Sequence, residues 1–236
     1  MKDTLIEYIT QSLYFGETTQ ESEGMNSQVW DKYLSLGTKM LRKSGDYIIS
    51  VSDNPAGLYF IHKGKVKSNL LNKDGMVKTI NIKAERTIFG EQFVFHHQPG
   101  IYEAIALEYC ELYFFTRERI LELMKDDFEI TLFIAKSLSI MSRMMAYQIQ
   151  DMSISNVLHS LARVLYSISC YEIKNNPQKE EITINLTHEQ IANMIGAHRV
   201  TVTKNLNRLK TLGILDYKYE KIMIKDLQKL LEITTE

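Results

Sequence analysis

A glycine at position 196 separates two stretches of helical periodicity, and this pair constrains the chain more than any other feature. On the N-terminal side Thr187 can cap a helix, with Gln190 at the reciprocal capping-box position. Ile191, Met194 and Ile195 give that helix an apolar face. Gly196 falls where a tight turn needs a residue free to take positive φ. A second helix is predicted from about Ala197 to Leu212, burying Val202, Leu206 and Leu209 at helical spacing. Its other face carries His198, Arg199, Val200, Thr201, Thr203, Lys204 and Arg208. Between Gln190 and Leu215 there are four Lys or Arg residues and no acidic one. That asymmetry suits a helix lying in a DNA major groove between two rows of phosphates, with Thr187 and His198 turned toward the phosphates. A solvated helical hairpin with a basic face is the plainer alternative.

The flanks extend the pattern. Ile182-Thr183-Ile184 alternates like a short strand, and Ile214 to Ile224 reads as a β-hairpin with a polar tip. A helix-turn-helix followed by a hairpin is a winged module, and Lys218 and Lys221 could reach the phosphate backbone. One such module reads only a few base pairs, so a specific binder is expected to dimerise. The formal net charge is −1, so affinity for DNA has to come from this local patch.

Upstream the periodicity changes twice. Residues 1–30 hold one base, Lys2, and an early apolar cluster, read as an amphipathic helical extension rather than a targeting peptide. From residue 31 to 127 short strands alternate with turns: Leu41 to Ile49 around Gly45, Gly57 to Lys67 around Gly64, the Asn72-Lys73-Asp74-Gly75 turn, and Ile105 to Phe115. Turns about every dozen residues predict an all-β roll or barrel. Residues 117–157 contain no Gly or Pro. They predict a short helix from Arg117 to Met124 and a long one from Phe128 to about Met152.

The long helix carries two apolar seams: Thr131, Ile134, Leu138, Met141, Met145, Gln148 and Met152, and beside it Ile130, Phe133, Ile140, Met144 and Tyr147. An arc that wide needs partners on two sides, the roll on one and the same helix of a second subunit on the other. Burial within one monomer is the alternative. Asn156 can cap a further helix from Val157 to Tyr171. The expected fold is therefore α+β, with an extension (1–30), a β-roll sensor (31–127), a dimerisation helix (128–154) and a winged helix-turn-helix (155–236). No apolar run is long enough to span a bilayer, so a cytoplasmic protein without membrane contact is expected. Cys110 and Cys170 lie far apart in apolar settings and read as free thiols, with a redox pair as the other reading.

In this order the chain resembles the cyclic-AMP receptor protein and fumarate-nitrate regulator superfamily of bacterial transcription factors, over nearly its whole length from residue 31. The carriers are Gly45-Asp46, Leu58 to Lys67, Asp74-Gly75, Phe89-Gly90-Glu91 and the helix-turn-helix from Ile191-Ala192 to Lys210. The resemblance implies a homodimer whose roll binds a small effector and reorients two recognition helices over an inverted repeat. Its partners would be double-stranded DNA, a second copy of the chain and RNA polymerase. In much of the family the residue after the first recognition-helix arginine is glutamate; here it is Val200, which shifts the expected site toward A·T pairs.

The effector is not expected to be cyclic AMP. Nucleotide-binding members of the family follow their Gly-Glu pair with Arg-Ser or Arg-Thr before an alanine, and the arginine clamps the phosphate. Here Gly90-Glu91 is present, but Tyr102 and Glu103 precede Ala104, and no arginine lies between Arg86 and Arg117. A carboxylate there would repel an anion by about 1–4 kcal/mol at 4 Å, and the bidentate donor is missing. Gly90, Glu91, Tyr102, Glu103 and Met141 are nevertheless the candidate effector residues, with Phe93, Phe95, Met141 and Met144 able to line an apolar pocket beside Tyr102. Ile101-Tyr102 and Val200 to Thr203 are similar to the halorespiration branch of the family, whose effectors are halogenated phenols.

Other chemistries fit less well. Two distant cysteines cannot hold an iron–sulfur cluster. His62, His96 and His97 keep a haem- or redox-sensing regulator as an alternative. A cupin-like metalloprotein needs His-x-His, and adjacent His96-His97 would face opposite ways on a strand. No catalytic residues, metal ligands or resident cofactor are assigned, and an effector-independent DNA-binding dimer is the remaining rival.

Overall fold

The computed structural model describes residues 25–72, 76–96, 98–154, 156–176, 178, 181–218 and 221–235. Residues 1–24 of the extension expected over residues 1–30, the Asp74-Gly75 turn and His97 lie outside the described residues. Among those described, no helix is long and apolar enough to cross a membrane. The described residues form two compact units, one within residues 25–71 and 80–145, the other within residues 72, 76–79 and 146–235.

In the first unit a 3-10 helix, Ser27–Leu36, precedes the roll. The roll strands are β1 (Thr38–Arg42), β2 (Tyr47–Ile49), β3 (Gly57–Lys63), β4 (Val66–Leu71), β5 (Val77–Lys83), β6 (Ile88–Phe89), β7 (Tyr102–Ala106) and β8 (Cys110–Thr116). A short helix α1 (Glu91–Phe95) lies between β6 and β7. One sheet runs β1-β8-β3-β6 and the other β2-β7-β4-β5. The strand–glycine–strand segments around Gly45 and Gly64 thus cross from one sheet to the other.

Alternation along β3 divides the apolar side chains between two cores. Leu58 and Phe60 join Ile88, Phe115, Ile120, Ile130, Phe133 and Ile134, closing the roll against the helices α2 (Arg117–Asp126) and α3 (Phe128–Ile154). At the centre of this core Trp30 is fully buried. Its ring stacks on Phe60 at 5.3 Å and meets Phe115 at 5.3 Å and Phe133 at 5.8 Å. Arg86 pins the same 3-10 helix, donating to Asp31 at 2.7 and 2.8 Å and to the Ser27 carbonyl at 2.9 Å. The hydrogen bonds from Arg86, partly offset by burial, hold the Asp31 carboxyl below its ordinary pKa. Tyr59 and Ile61 point the other way, into a roll interior filled by Phe89, Phe93, Tyr102 and Phe114.

Helix α3 sorts its apolar residues differently from the two expected seams. Ile130, Phe133, Ile134, Ser137, Met144 and Gln148 are buried within the chain. Leu138 and Ile149 are 40% and 64% exposed, and with Ala135, Ser142 and Met145 they form a stripe at three- and four-residue steps. The expected seam therefore splits: Ile134 and Gln148 turn inward, while Leu138 and Met145 belong to the accessible stripe.

In the second unit Asn156 caps α4 (Val157–Asn175), its Oδ1 accepting from Leu158 N at 2.9 Å and His159 N at 3.1 Å. There follow β9 (Ile182–Asn185), α5 (His188–Ile195), α6 (Arg199–Thr211), β10 (Leu215–Lys218), β11 (Lys221–Ile224) and α7 (Leu227–Thr235). β11 pairs antiparallel with both β10 and β9. Helix α7, not anticipated from sequence, buries Leu230 and packs on α4, started by Asp226 Oδ1 accepting from Lys229 N at 2.9 Å. Cys110 is buried and Cys170 half-buried, both free thiols. Burial pushes both thiols up, against thiolate chemistry.

Candidate nucleic-acid interface and sensor site

The helix-turn-helix is held at its start by the capping box that Thr187 and Gln190 predict. Thr187 Oγ1 accepts from Gln190 N at 3.0 Å, and Gln190 Oε1 accepts from Thr187 N at 2.8 Å. Gly196 closes α5 at φ +70°, a left-handed conformation that any L side chain would strain. The chain then re-enters helix at Arg199, with His198 as an extended N-cap making no side-chain cap bond and no acidic residue in the first turn. Val202, Leu206 and Leu209 are fully buried. On the opposite side His198, Arg199, Lys204 and Arg208 are exposed, and Val200 is 80% exposed. Thr201 and Thr203 are half-buried on its flanks.

Thr203 is not simply offered to solvent. Its hydroxyl lies 2.9 Å from His188 Nδ1 on α5. The His188 ring stands edge-on to Tyr217 of β10 at 4.9 Å, and Tyr217 Oη donates to Asn207 Oδ1 at 2.7 Å. Lys210 pairs with Asp216 at 2.6 Å, its ammonium 5.3 Å from the Tyr217 ring. Burial, then the Arg199 charge, lowers the His188 pKa, which favours the neutral imidazole in this contact. Recognition helix, first helix and wing are thus tied together by His188, Asn207, Lys210 and Tyr217. Sequence reasoning missed all four roles, because residues fifteen or ten positions apart reveal no contact until the helices are folded. Lys218 and Lys221 are exposed register partners on the wing, whose tip at residues 219–220 lies outside the described residues.

The five candidate sensor residues do not converge on one pocket. Gly90 takes φ +89° as the N-cap of α1. It delivers Glu91 to a buried ion pair in which Oε1 accepts from Lys83 Nζ at 3.2 Å and Ser137 Oγ at 2.6 Å. Lys83 also donates to the Ile88 carbonyl at 2.5 Å. Tyr102 lies in the roll interior, 6.2 Å from the Phe93 ring, and burial pushes its phenol pKa up. Glu103 is buried too, accepting from Asn69 Nδ2 at 3.0 Å. Met141 instead borders a recess between β5 and α3, with Asn81, Lys83, Ser137 and Met144. The single apolar pocket expected of Tyr102, Phe93, Phe95, Met141 and Met144 is therefore divided: two in the interior, two at the recess, and Phe95 44% exposed.

Of the histidines considered as ligands, His62 Nε2 is 4.0 Å from Glu111 Oε1 and His96 is exposed. Among the described residues no three His, Cys, Asp or Glu side chains are grouped to hold a metal ion.

Comparison with known proteins matches both units. Residues 159–233 fit the family model of the Crp-like helix-turn-helix domain, and residues 41–127 that of the cyclic nucleotide-binding domain. The global nitrogen regulator of a Nostoc species is 26% identical over 174 residues, covering 71% of this chain and 76% of that protein. Among solved structures, the c-di-GMP-responsive global regulator CLP of Xanthomonas campestris aligns with TM-score 0.76 at 16% identity, over 84% of this chain and 99% of that one. OCPA-complexed CprK aligns with TM-score 0.67 at 23% identity, over 86% and 93%.

Proposed function

The chain belongs to the cyclic-AMP receptor protein and fumarate-nitrate regulator superfamily, transcription regulators that join a DNA-binding helix-turn-helix to a cyclic nucleotide-binding-type sensor domain, and from that premise we propose that it acts as a homodimer on an A/T-rich inverted repeat under the control of a small effector other than cyclic AMP. The observation that carries this reading is the face of α6, where Arg199, Lys204 and Arg208 flank an exposed Val200 and the first turn holds no acid. In this reading the arginines and Lys204 meet phosphates or guanine, and Val200 packs on something apolar, such as a thymine methyl. Thr187, His198, Thr201 and Thr203 complete the proposed contact set, Thr187 and Thr203 with one hydrogen bond each already made inside the module.

Dimerisation is supported by the stripe Ala135, Leu138, Ser142, Met145 and Ile149 on α3, which is apolar or small throughout, exposed except for the half-buried Met145, and part of neither buried cluster among the described residues. A two-fold pairing of this stripe would be isologous, matching the two-fold symmetry of an inverted repeat. Against cyclic AMP stand the ion pair that already occupies Glu91, the carboxylate of Glu103 and the aromatic filling of the interior. The relatives named for c-di-GMP and OCPA indicate that this fold serves chemically unrelated ligands. RNA polymerase, met at the promoter, is the remaining proposed partner.

The test is electrostatic. Replacing Lys204 by Ala should reduce the slope of log K against log salt by about one unit if its ammonium neutralises one phosphate. Fluorescence anisotropy of a labelled duplex across a salt series measures it. An unchanged slope with unchanged affinity would remove Lys204 from the interface.

A further inference from the structure

The exposed face of α6 runs on past the side chains proposed above to meet DNA. Asn207 follows Val200 by seven residues, which brings it back to within about 20° of Val200 around the helix axis. It is exposed, as are Lys204 and Arg208 beside it, while Val202, Leu206 and Leu209 are buried opposite. Exposure alone would make it an ordinary solvated amide. Its oxygen, however, is held: Tyr217 Oη on β10 donates to Asn207 Oδ1 at 2.7 Å. The Tyr217 ring is braced in turn by the edge contact with His188 at 4.9 Å and by the Lys210 ammonium at 5.3 Å. With Oδ1 engaged the amide is oriented, and both Nδ2 hydrogens remain without an acceptor among the described residues. Lys210, one turn's length further on, is paired with Asp216 at 2.6 Å, so this side of the helix offers a neutral donor rather than a free cation.

We propose that Asn207 donates its Nδ2 hydrogens to a phosphate of the strand bounding the groove, and that Tyr217 is the positioning residue for this bond. Base edges are met by the N-terminal residues of a recognition helix. At 1.5 Å per residue Asn207 stands about 10 Å further along the axis than Val200. That distance approaches the major-groove width of about 12 Å, so the side chain reaches the rim of the groove rather than its floor. Amide side chains are common partners of phosphate oxygens, and such contacts set register and orientation without reading sequence. An amide already held by Tyr217 has less rotamer freedom to lose on binding, which favours the bond. The contact carries no charge, so it adds affinity without releasing a counterion. It thereby differs in kind from those proposed for Arg199, Lys204 and Arg208.

The proposal rests on α6 lying in the major groove, and its test keeps the two readings apart. The duplex bound tightest in selection from random DNA is remade with single methylphosphonate linkages, each removing one anionic acceptor. The unaltered full-length protein, Asn207→Ala, Tyr217→Phe and the double variant are titrated against this set by fluorescence anisotropy. Asn207→Ala should bind the unmodified duplex about tenfold more weakly, with an unchanged salt slope because no charge is lost. At one linkage in each half-site the methylphosphonate should weaken the unaltered protein and leave Asn207→Ala no worse. Tyr217→Phe keeps the ring contacts and should lose about threefold, a loss that disappears where Asn207 is already replaced. Asn207 is exposed and alanine favours helix, so the variant keeps its fold, which circular dichroism on the same samples checks. Equal affinity of Asn207→Ala and the unaltered protein, a lowered salt slope, or no linkage at which the two converge would each overturn the contact. A Tyr217→Phe loss that persists in the double variant would overturn the positioning role. Selection that returns no duplex would sink the reading of α6 itself, and this contact with it.

Discussion

Trp30→Ala is expected to destabilise the roll by about 3–5 kcal/mol, the range for deleting a large aromatic from a closed core. Trp30 is the sole tryptophan of the chain. It has no exposed surface and touches Phe60 and Phe115 of the strands and Phe133 of α3. Removing it would therefore open a cavity shared by the 3-10 helix, the sheet and the long helix. At about 2–4 °C per kcal/mol for a chain of this size, calorimetry should show Tm lowered by about 6–20 °C. Trp30→Phe, which keeps most of the apolar volume, should lose markedly less. A Trp30→Ala loss below about 1 kcal/mol would mean that the segment before β1 is an appendage rather than part of the core.

Leu138→Glu should leave the chain folded and separate it into monomers. Leu138 is 40% exposed in the single chain, and substitutions at such surface positions usually change stability by less than about 0.5 kcal/mol. In an isologous α3 pair, however, the same change would put two carboxylates into one seam, each losing several kcal/mol of hydration. A loss of about 3 kcal/mol or more in pairing corresponds to roughly a hundredfold or more in affinity, and binding to a two-half-site duplex should fall with it. Sedimentation velocity with circular dichroism on the same sample distinguishes dissociation from unfolding. A folded dimer with native DNA affinity would place the subunit contact elsewhere.

The elements legible from sequence were those whose signals are local. Thr187, Gln190 and Gly196 mark a capping box and a left-handed turn within ten residues, and the structure has both. The long helix was legible because residues 117–157 contain neither Gly nor Pro. Less legible was anything set by which neighbour a face meets. The α3 periodicity announced two apolar sides but not that Ile134 would be buried while Leu138, in the same expected seam, would stay exposed, since one step of 100° decides it. The strand–glycine–strand segments around Gly45 and Gly64 did not show which sheet each strand would join, because a glycine turn is common to hairpins and to crossovers between sheets. Helix α7 carried a usable signal, Asp226 ahead of Leu227, Leu230 and Leu231, that was not taken up.

At the candidate sites the same division holds. The exposed row Arg199, Val200, Lys204 and Arg208 followed from helical spacing alone. The His188–Thr203 contact did not, nor did the Lys83–Glu91–Ser137 cluster, whose members come from β5, α1 and α3. Glu91 drew attention as half of a familiar Gly-Glu pair. Its lysine partner stands eight residues earlier on a strand that reads as an ordinary alternating one.

Whether α6 reads DNA with Val200 at the middle of its contact face is tested most directly by selection from random duplexes, run in parallel on the unaltered protein and on Val200→Glu. The expected product is an A/T-rich inverted repeat with half-sites about 34 Å apart on one face of the DNA. Val200→Glu should weaken that site by about 1–3 kcal/mol and gain tolerance for C·G at the contacted pair, because glutamate can accept from cytosine N4. Recovery of no repeat, of a repeat rich in G·C at that pair, or of the same consensus from both proteins would contradict it.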